Sequence, residues 1–420
     1  MTRPTFPPLK PGFGEFVALM AALMASNAMA IDSMLPALPA IGDALGVVDE
    51  NRRQLVVTFY LLGFGAAQLG YGPLSDRFGR KGLLVGGLLL YALFATLAGL
   101  AGSFAWLLAA RTMQGAAAAA SRVLTVSIVR DRYHGPAMAQ VMSLTMIVFM
   151  IVPVLAPFFG QAVLAVASWR HIFIGLGAYG LLLSAWVLVR LPETLARDKR
   201  RALSFAAIGE AARLTLSIRQ SIGNALVQTL AIGALFSFVN SIQQVVADVL
   251  HRPALLPVVF ACVAGPMALG SYANSRLVMR FGSRRLLFLA LACFTGIAGL
   301  HLAVAATAGE TLWTFIPLQA AAMACFGLIG ANAGALAMEP LGHVAGTASS
   351  LQGVLTTIGG ALIGFAVGQS FDGTTLPLLA GFTACGALGL VIARWANRDP
   401  CRDSHDEAEI EIQETATRPA

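Results

Sequence analysis

From Phe16 to Met29 the chain carries no charged residue, and uncharged, mostly apolar runs of this kind recur along its whole length. Each is about 20 residues, the length that crosses a bilayer core at 1.5 Å per residue, so they read as membrane-spanning helices. Strands of a membrane barrel would be about 10 residues long and alternate in polarity, a pattern the chain lacks. Only 12% of the 420 residues are charged. A soluble domain carries about 25%, so there is too little charge here to coat a water-facing surface.

Charged and turn-rich breaks separate about twelve spans, near 15–36, 54–73, 83–101, 104–128, 138–163, 171–189, 222–247, 254–275, 286–308, 312–336, 346–370 and 376–393. The polar stretch Leu191 to Gln220, with Arg197, Lys199, Arg200, Arg201, Arg213 and Arg219, divides them into two groups of six and is expected to include a short amphipathic surface helix. This gives an N-terminal half 1–191, a linker 192–220, a C-terminal half 221–397 and an acidic, solvated tail 398–420. Lys and Arg favour cytoplasmic segments. With both termini in the cytoplasm, 22 of these residues fall on the cytoplasmic side and 4 on the other, with Arg111 and Arg122 left inside the fourth span. The alternative is a cleaved leader ending at Ala28-Met29-Ala30, which would leave an odd number of spans.

"LSDRFGRKGLL" (Leu74–Leu84) and "LVMRFGSRRLL" (Leu277–Leu287) lie 203 residues apart, and seven of their eleven positions match, one of them as Lys for Arg. A half-chain repeat in a polytopic protein marks secondary transporters, whose two halves rock around a midplane site. The loop "GPLSDRFGRK" (Gly72–Lys81) resembles the signature of the major facilitator superfamily, and "RTMQG" (Arg111–Gly115) resembles its fourth-span motif. "DSMLPALPAI", "PVLAPFFGQ" (Pro153–Gln161), "LPETL" (Leu191–Leu195) and "AGTASSLQG" (Ala345–Gly353) resemble the Bcr/CflA-type branch of drug:proton antiporters. The resemblance implies an all-α membrane protein of twelve transmembrane helices in two six-helix, pseudo-symmetric halves. Ala156 and Gln161 depart from the branch's fifth-span glycines, and "NSIQQVVADVL" (Asn240–Leu250) departs from its seventh span.

Asp32 is the expected proton carrier. A carboxylate at the centre of a span costs roughly 2.5–3.5 kcal/mol on insertion scales, so its presence asks for a function. Pro36 and Pro39 read as a break where the helix lines a cavity. The resemblance implies that Arg111 affects proton transfer at this acid; Arg122, eleven residues on, reads as cavity-facing or snorkelling. It also implies that Gly72, Asp76, Arg77, Gly79, Arg80 and Lys81 gate the cytoplasmic side, and that Pro153 and Pro157 join Pro36 as hinges. A carboxylate such as Asp76 would suit a helix N-terminus in that loop.

Ser237, Asn240, Ser241 and Gln244 share one helix face in the seventh span and are expected to line the substrate cavity. Tyr60, Gln68, Met146, Phe149, Met150 and Asn332 are weaker candidates for the same lining; aromatic and Met side chains suit an adaptable apolar pocket. The reading is a proton-coupled exporter of small amphipathic compounds in the inner membrane, working as a monomer, with small molecules, protons and lipid as its partners. The alternative of the same fold is a proton-linked metabolite symporter or facilitator. No nucleic-acid partner is expected, because the net charge of +7 follows the membrane topology. No Walker loop, cofactor motif or paired metal-ligand motif occurs, and the six histidines form no catalytic pattern, so no cofactor, no metal and no enzymatic activity are expected. Cys262, Cys293, Cys325, Cys385 and Cys401 form no CxxC pair and are expected to be buried small side chains.

Overall fold

The computed structural model describes residues 11–195, 200, 209 and 213–398, and describes the backbone alone at 135, 136, 139, 143, 146–150 and 342–347. Most of the linker with its expected amphipathic helix, and nearly all of the tail, lie outside these residues. The helices are α1 (Phe13–Asp32), α2 (Leu38–Ala44), α3 (Glu50–Arg53), α4 (Leu55–Phe78), α5 (Arg80–Gly99), α6 (Phe104–Arg132), α7 (Gly135–Val166) and α8 (Arg170–Arg190). They continue as α9 (Arg219–Gln244), α10 (Leu256–Ala264), α11 (Pro266–Phe281), α12 (Ser283–Ala308), α13 (Leu312–Met338), α14 (Ala345–Gln369) and α15 (Leu376–Ala396). No strand occurs among the described residues.

Leu, Ala and Met dominate these segments and are strong helix formers. Leu93, Leu182, Leu289 and Val391 are at least half exposed, so the bundle turns large apolar side chains outward as well as inward. That is the surface of a protein bathed in hydrocarbon. Ten helical stretches among the described residues are long and apolar enough to cross a membrane. Helix α6 has 29 residues but carries Arg111 and Arg122, and α7 has 32.

Packing pairs α4 with α6, α5 with α6 and α8, and α1 with α7; later in the chain it pairs α9 with α14 and α15, α12 with α13 and α15, and α11 with α13. Helices α4 and α14, and α7 and α10, join the first set to the second. Close approach relies on glycine. A side chain at Gly63 would run into the Thr112 carbonyl and one at Gly115 into that of Tyr60; Gly270 against Ala324 and Gly327 against Met267 do the same between α11 and α13. The sequence repeat has a backbone counterpart as well. Gly79 and Gly282 hold φ of +99° and +75°, where L side chains are strained, and each forms the single-residue joint between two helices.

Two expectations are corrected here. Gly72 to Phe78 belong to helix α4 rather than to a loop, so Asp76 sits near a helix C-terminus and cannot serve the N-terminus of α5. Cys262 and Cys293 are exposed on the bundle surface; Cys325 and Cys385 are at least partly buried, and Cys401 lies outside the described residues.

Candidate functional site

Helix α1 stops at Asp32, the chain turns through a 3-10 segment, Leu35–Ala37, and α2 begins at Leu38. Pro36 and Pro39 occupy first-turn positions of these short helices, where a missing backbone donor does no harm. The break lies against α7, because Gly160 leaves room for the Ser33 carbonyl. The last carbonyls of a broken helix lack partners within it. Arg111 of α6 takes one of them: its Nη2 donates to the Ala30 carbonyl at 3.0 Å, while Nε donates to Val56 at 3.1 Å and Nη1 to Gln114 Oε1 at 2.7 Å.

Arg111 is fully buried. Its guanidinium lies 4.3 Å from the centre of the Tyr60 ring and 5.7 Å from that of Phe173. Desolvated cation–π contacts of this kind offset part of the burial of a charge. The Tyr60 hydroxyl donates to Asn27 Oδ1 at 2.9 Å. Asp32 is 5% exposed, and among the described residues no side chain forms an ion pair or hydrogen bond with its carboxylate. The structure therefore brings Asp32, Tyr60 and Arg111 into one buried group without a salt bridge between acid and guanidinium. Tyr60 is placed as the cover of Arg111 rather than as an open cavity wall.

The stripe on α9 is buried throughout. Ser237 donates to its own helix at Gly233, 2.8 Å away. Asn240 is 1% exposed, and both atoms of its amide lack a partner. Gln244 reaches two other helices: it accepts from Gln54 Nε2, and its own Nε2 donates to Asn51 Oδ1 at 2.7 Å. The stripe faces α14, where Gly364 and Gly368 admit it closely. Near this end a cavity of about 360 Å³ is lined by Pro36, Pro39, Gln161, Gln243, Pro253 and Leu256 among others. Gln68 donates to Thr357 of α14 at 3.1 Å, and Asn332 to Asn274 at 2.6 Å. The side chains of Met146, Phe149 and Met150 lie outside what the structure describes; Pro153 and Pro157 lie inside α7.

At the other end of α4, Arg80 is nearly buried. It pairs with Asp76 at 2.7 Å and with Asp131 of α6 at 3.1 Å, and donates to the Ser75 hydroxyl. Lys81 Nζ donates to the Leu188 carbonyl of α8 at 2.8 Å. The carboxylate at the start of α5 comes from Glu193, which accepts from the backbone amides of Arg80 at 2.9 Å and Lys81 at 3.2 Å. Gly72 lies beside Ser350 of α14, and Arg77 lies over Phe78. Glu193 and Asp131 escaped the sequence reading as site residues. The signal for Glu193 was present in "LPETL", where the one acid stands beside a proline.

A polytopic helical bundle with a broken first helix, a buried acid at the break and joints repeated across the chain defines a membrane transporter. The model of the Major Facilitator Superfamily matches residues 19–364, and the chain belongs to that family. It is 29% identical over 378 residues to a bicyclomycin resistance protein homolog of Haemophilus influenzae, covering 90% of this chain and 94% of that one. It is 31% identical to the MFS-type transporter YdgK of Bacillus subtilis, covering 88% and 92%, and 26% identical to the multidrug resistance protein MdtL of Escherichia coli, covering 90% and 94%. Among solved structures, the human organic anion transporter MFSD10 superposes with a TM-score of 0.63 at 19% identity, covering 92% of this chain and 100% of that one, which establishes likeness of fold.

Proposed function

We propose that this protein exports small amphipathic compounds across the cytoplasmic membrane in exchange for protons, by alternating access. The relatives named for bicyclomycin and multidrug resistance support the cargo class. The observation that carries the coupling is Asp32, a buried carboxylate at a helix break with no protein partner among the described residues. An acid so placed takes up a proton when its side of the cavity meets the proton-rich face and gives it up at the other.

On this reading the twelve spans form two six-helix halves, 1–191 and 221–397, joined by the linker 192–220, with 398–420 as a tail. Both termini face the cytoplasm, supported by the Arg-rich segments. Arg111 holds the break beside Asp32 in place through the Ala30 carbonyl. Asp76, Arg80 and Lys81, with Gly72 and Gly79, form the cytoplasmic gate. Asn240, with its unpartnered amide, is the strongest contact for a polar group on the cargo, and the chain works as a monomer.

The test is Asp32→Asn in proteoliposomes with an imposed pH gradient, reading efflux of ethidium. The expected result is loss of gradient-driven transport with normal insertion. Wild-type rates from the variant would refute the assignment of Asp32.

A further inference from the structure

The two ends of α4 are fastened by different chemistry. A helix of 24 residues is about 36 Å long, so Gln54 and Arg80 lie at opposite faces of the bundle. At the Arg80 end the contacts are charged. At the Gln54 end the bonds that reach α9 and α14 are neutral amides, beside an Arg53–Asp43 ion pair at 3.2 Å that stays within the first set of helices. Gln54 donates to Gln244 of α9 and, at 3.2 Å, to the Gly368 carbonyl of α14. Gln244 returns a bond to Asn51 at 2.7 Å. Asn51 donates to the carbonyls of Gln369 at 3.2 Å and Phe371 at 2.9 Å, and Gln369 donates back to the Asn51 carbonyl at 2.6 Å.

We propose that Asn51, Gln54, Gln244 and Gln369 form the outer gate of the transporter, a clasp that must part for the cavity to open on the face opposite the Arg80 cluster. This rests on the alternating-access reading above. Three features fit a clasp rather than permanent cement. All four side chains bridge segments more than 100 residues apart, so breaking them separates whole helices without unfolding any. The bonds are amide to amide or amide to carbonyl, each of modest net strength and readily replaced by water. Gln244 is followed at once by a π-helical segment, Val245–Val249, and by His251 at φ +52°. A π turn holds one residue more than an α turn, and its relaxation swings the neighbouring side chains around the axis; such turns concentrate at functional sites. Gly368 completes the fit, since any side chain there would run into Gln54 and Asn240.

The experiment uses the full chain with its native cysteines replaced and a reporter at Asn240→Cys, one turn beneath Gln244. A membrane-impermeant maleimide is applied from the outside. Adding Gln54→Ala or Gln244→Ala is expected to raise the labelling rate about tenfold, as the loss of two clasp bonds in either variant shifts the closed state toward open. An unchanged rate overturns the proposal. This arm needs no transported compound, so it reads the gate even if the export reading fails. In the second arm, Asn51→Cys with Gln369→Cys is oxidised to a cross-link, and ethidium efflux is expected to stop and to return with reductant. Failure of the cross-link to form, or undiminished efflux once it has formed, overturns the proposal independently of how the alanine variants fold.

Discussion

Glu193→Ala is the sharpest perturbation of the Arg80 end. Helix α5 begins immediately after Gly79, and its first amides have no intrahelical acceptor. Glu193, more than 100 residues away in sequence, accepts from two of them, at 2.9 and 3.2 Å, and also from the amides of Thr194 and Leu195 at 3.0 and 3.1 Å. Removing a capping side chain costs about 0.5–2 kcal/mol. Losing a negative charge at a helix N-terminus costs about 0.3–1 kcal/mol more. Together these free the first turn by about 1–3 kcal/mol, a local opening rather than global unfolding. The assay is hydrogen exchange of the peptide spanning Arg80 to Leu84 in nanodiscs. At about 1.4 kcal/mol per tenfold, exchange should accelerate about fivefold to a hundredfold in Glu193→Ala. Glu193→Gln keeps an acceptor and loses only the charge, so about twofold to fivefold is expected. Gly79→Ala should imitate Glu193→Ala, because its new carbon would lie 2.6 Å from Glu193 Oε2 and 2.8 Å from Arg200 Nη2. Unchanged exchange in Glu193→Ala together with acceleration in Asp76→Asn would refute the cap and return the carboxylate's role to Asp76.

Three further outcomes are expected. Asp76→Asn should slow transport several-fold while Met279→Ala, at the equivalent place in the repeat, leaves it unchanged, because Asp76 pairs with Arg80 at 2.7 Å and Met279 is 89% exposed; equal damage in an efflux assay would break the asymmetry. Glu310 joins His301 at 3.1 Å, Thr314 at 2.6 Å and Thr375 at 3.0 Å; burial raises its pKa, but the hydrogen bonds from His301 and both threonines outweigh that and hold it below the ordinary value of 4.5. A depressed carboxyl contributes stability that is full above its unfolded pKa and lost as pH falls through the folded one, so acid unfolding below pH 4.5 should be less steep in Glu310→Gln, and an identical acid profile would refute this. Finally, if Asp32 alone carries the proton, exchange of one proton for an uncharged drug moves one charge inward, worth about 2.3 kcal/mol per 100 mV, whereas exchange for a monocation moves none; in voltage-clamped proteoliposomes chloramphenicol efflux should answer to potential and ethidium efflux to pH alone, and potential-independent chloramphenicol efflux would require a second acid.

What the sequence made legible follows from what each feature needs to announce itself. Asp32 stands out because a charge in an apolar run has few innocent explanations, and Gly79 and Gly282 because a repeated glycine marks a backbone conformation other residues resist. The partners of these residues were hidden. Glu193 lies 113 residues from the amide it caps, and nothing local says where a carboxylate will land after the four intervening helices, α5 to α8, have packed. The clasp was hidden for a different reason. Asn51, Gln54 and Gln369 sit at the edges of apolar runs, where polar residues are unremarked. Gln244 shares a helix face with Ser237 and Asn240, so periodicity alone assigns all of them to one cavity wall. The fold divides that face among a helix-bonded hydroxyl, an unpartnered amide and a bridge to other helices.

The placement of Arg111 bears on the proposed proton coupling. The family resemblance implies a cation close enough to Asp32 to affect its proton transfer. In the fold the guanidinium is spent on the Ala30, Val56 and Gln114 oxygens and on two aromatic rings, and no ion pair with Asp32 exists among the described residues. Of the other acids near the ends of spans, Glu15 is engaged by Trp186 and Arg190, and Asp248 is exposed on the π segment. Asp32 therefore has no built-in counter-charge. On the proposed reading its compensation comes from a proton or from the transported compound. On that reading, two occupants that compete for one carboxylate exclude each other, and that exclusion makes transport an exchange provided the empty carrier does not reorient. Arg111 serves that scheme by holding the helix break where the carboxylate stays dry, so Arg111→Lys, which keeps the charge but loses the fork that spans three oxygens, bears on the position of Asp32 rather than on the local electrostatic balance.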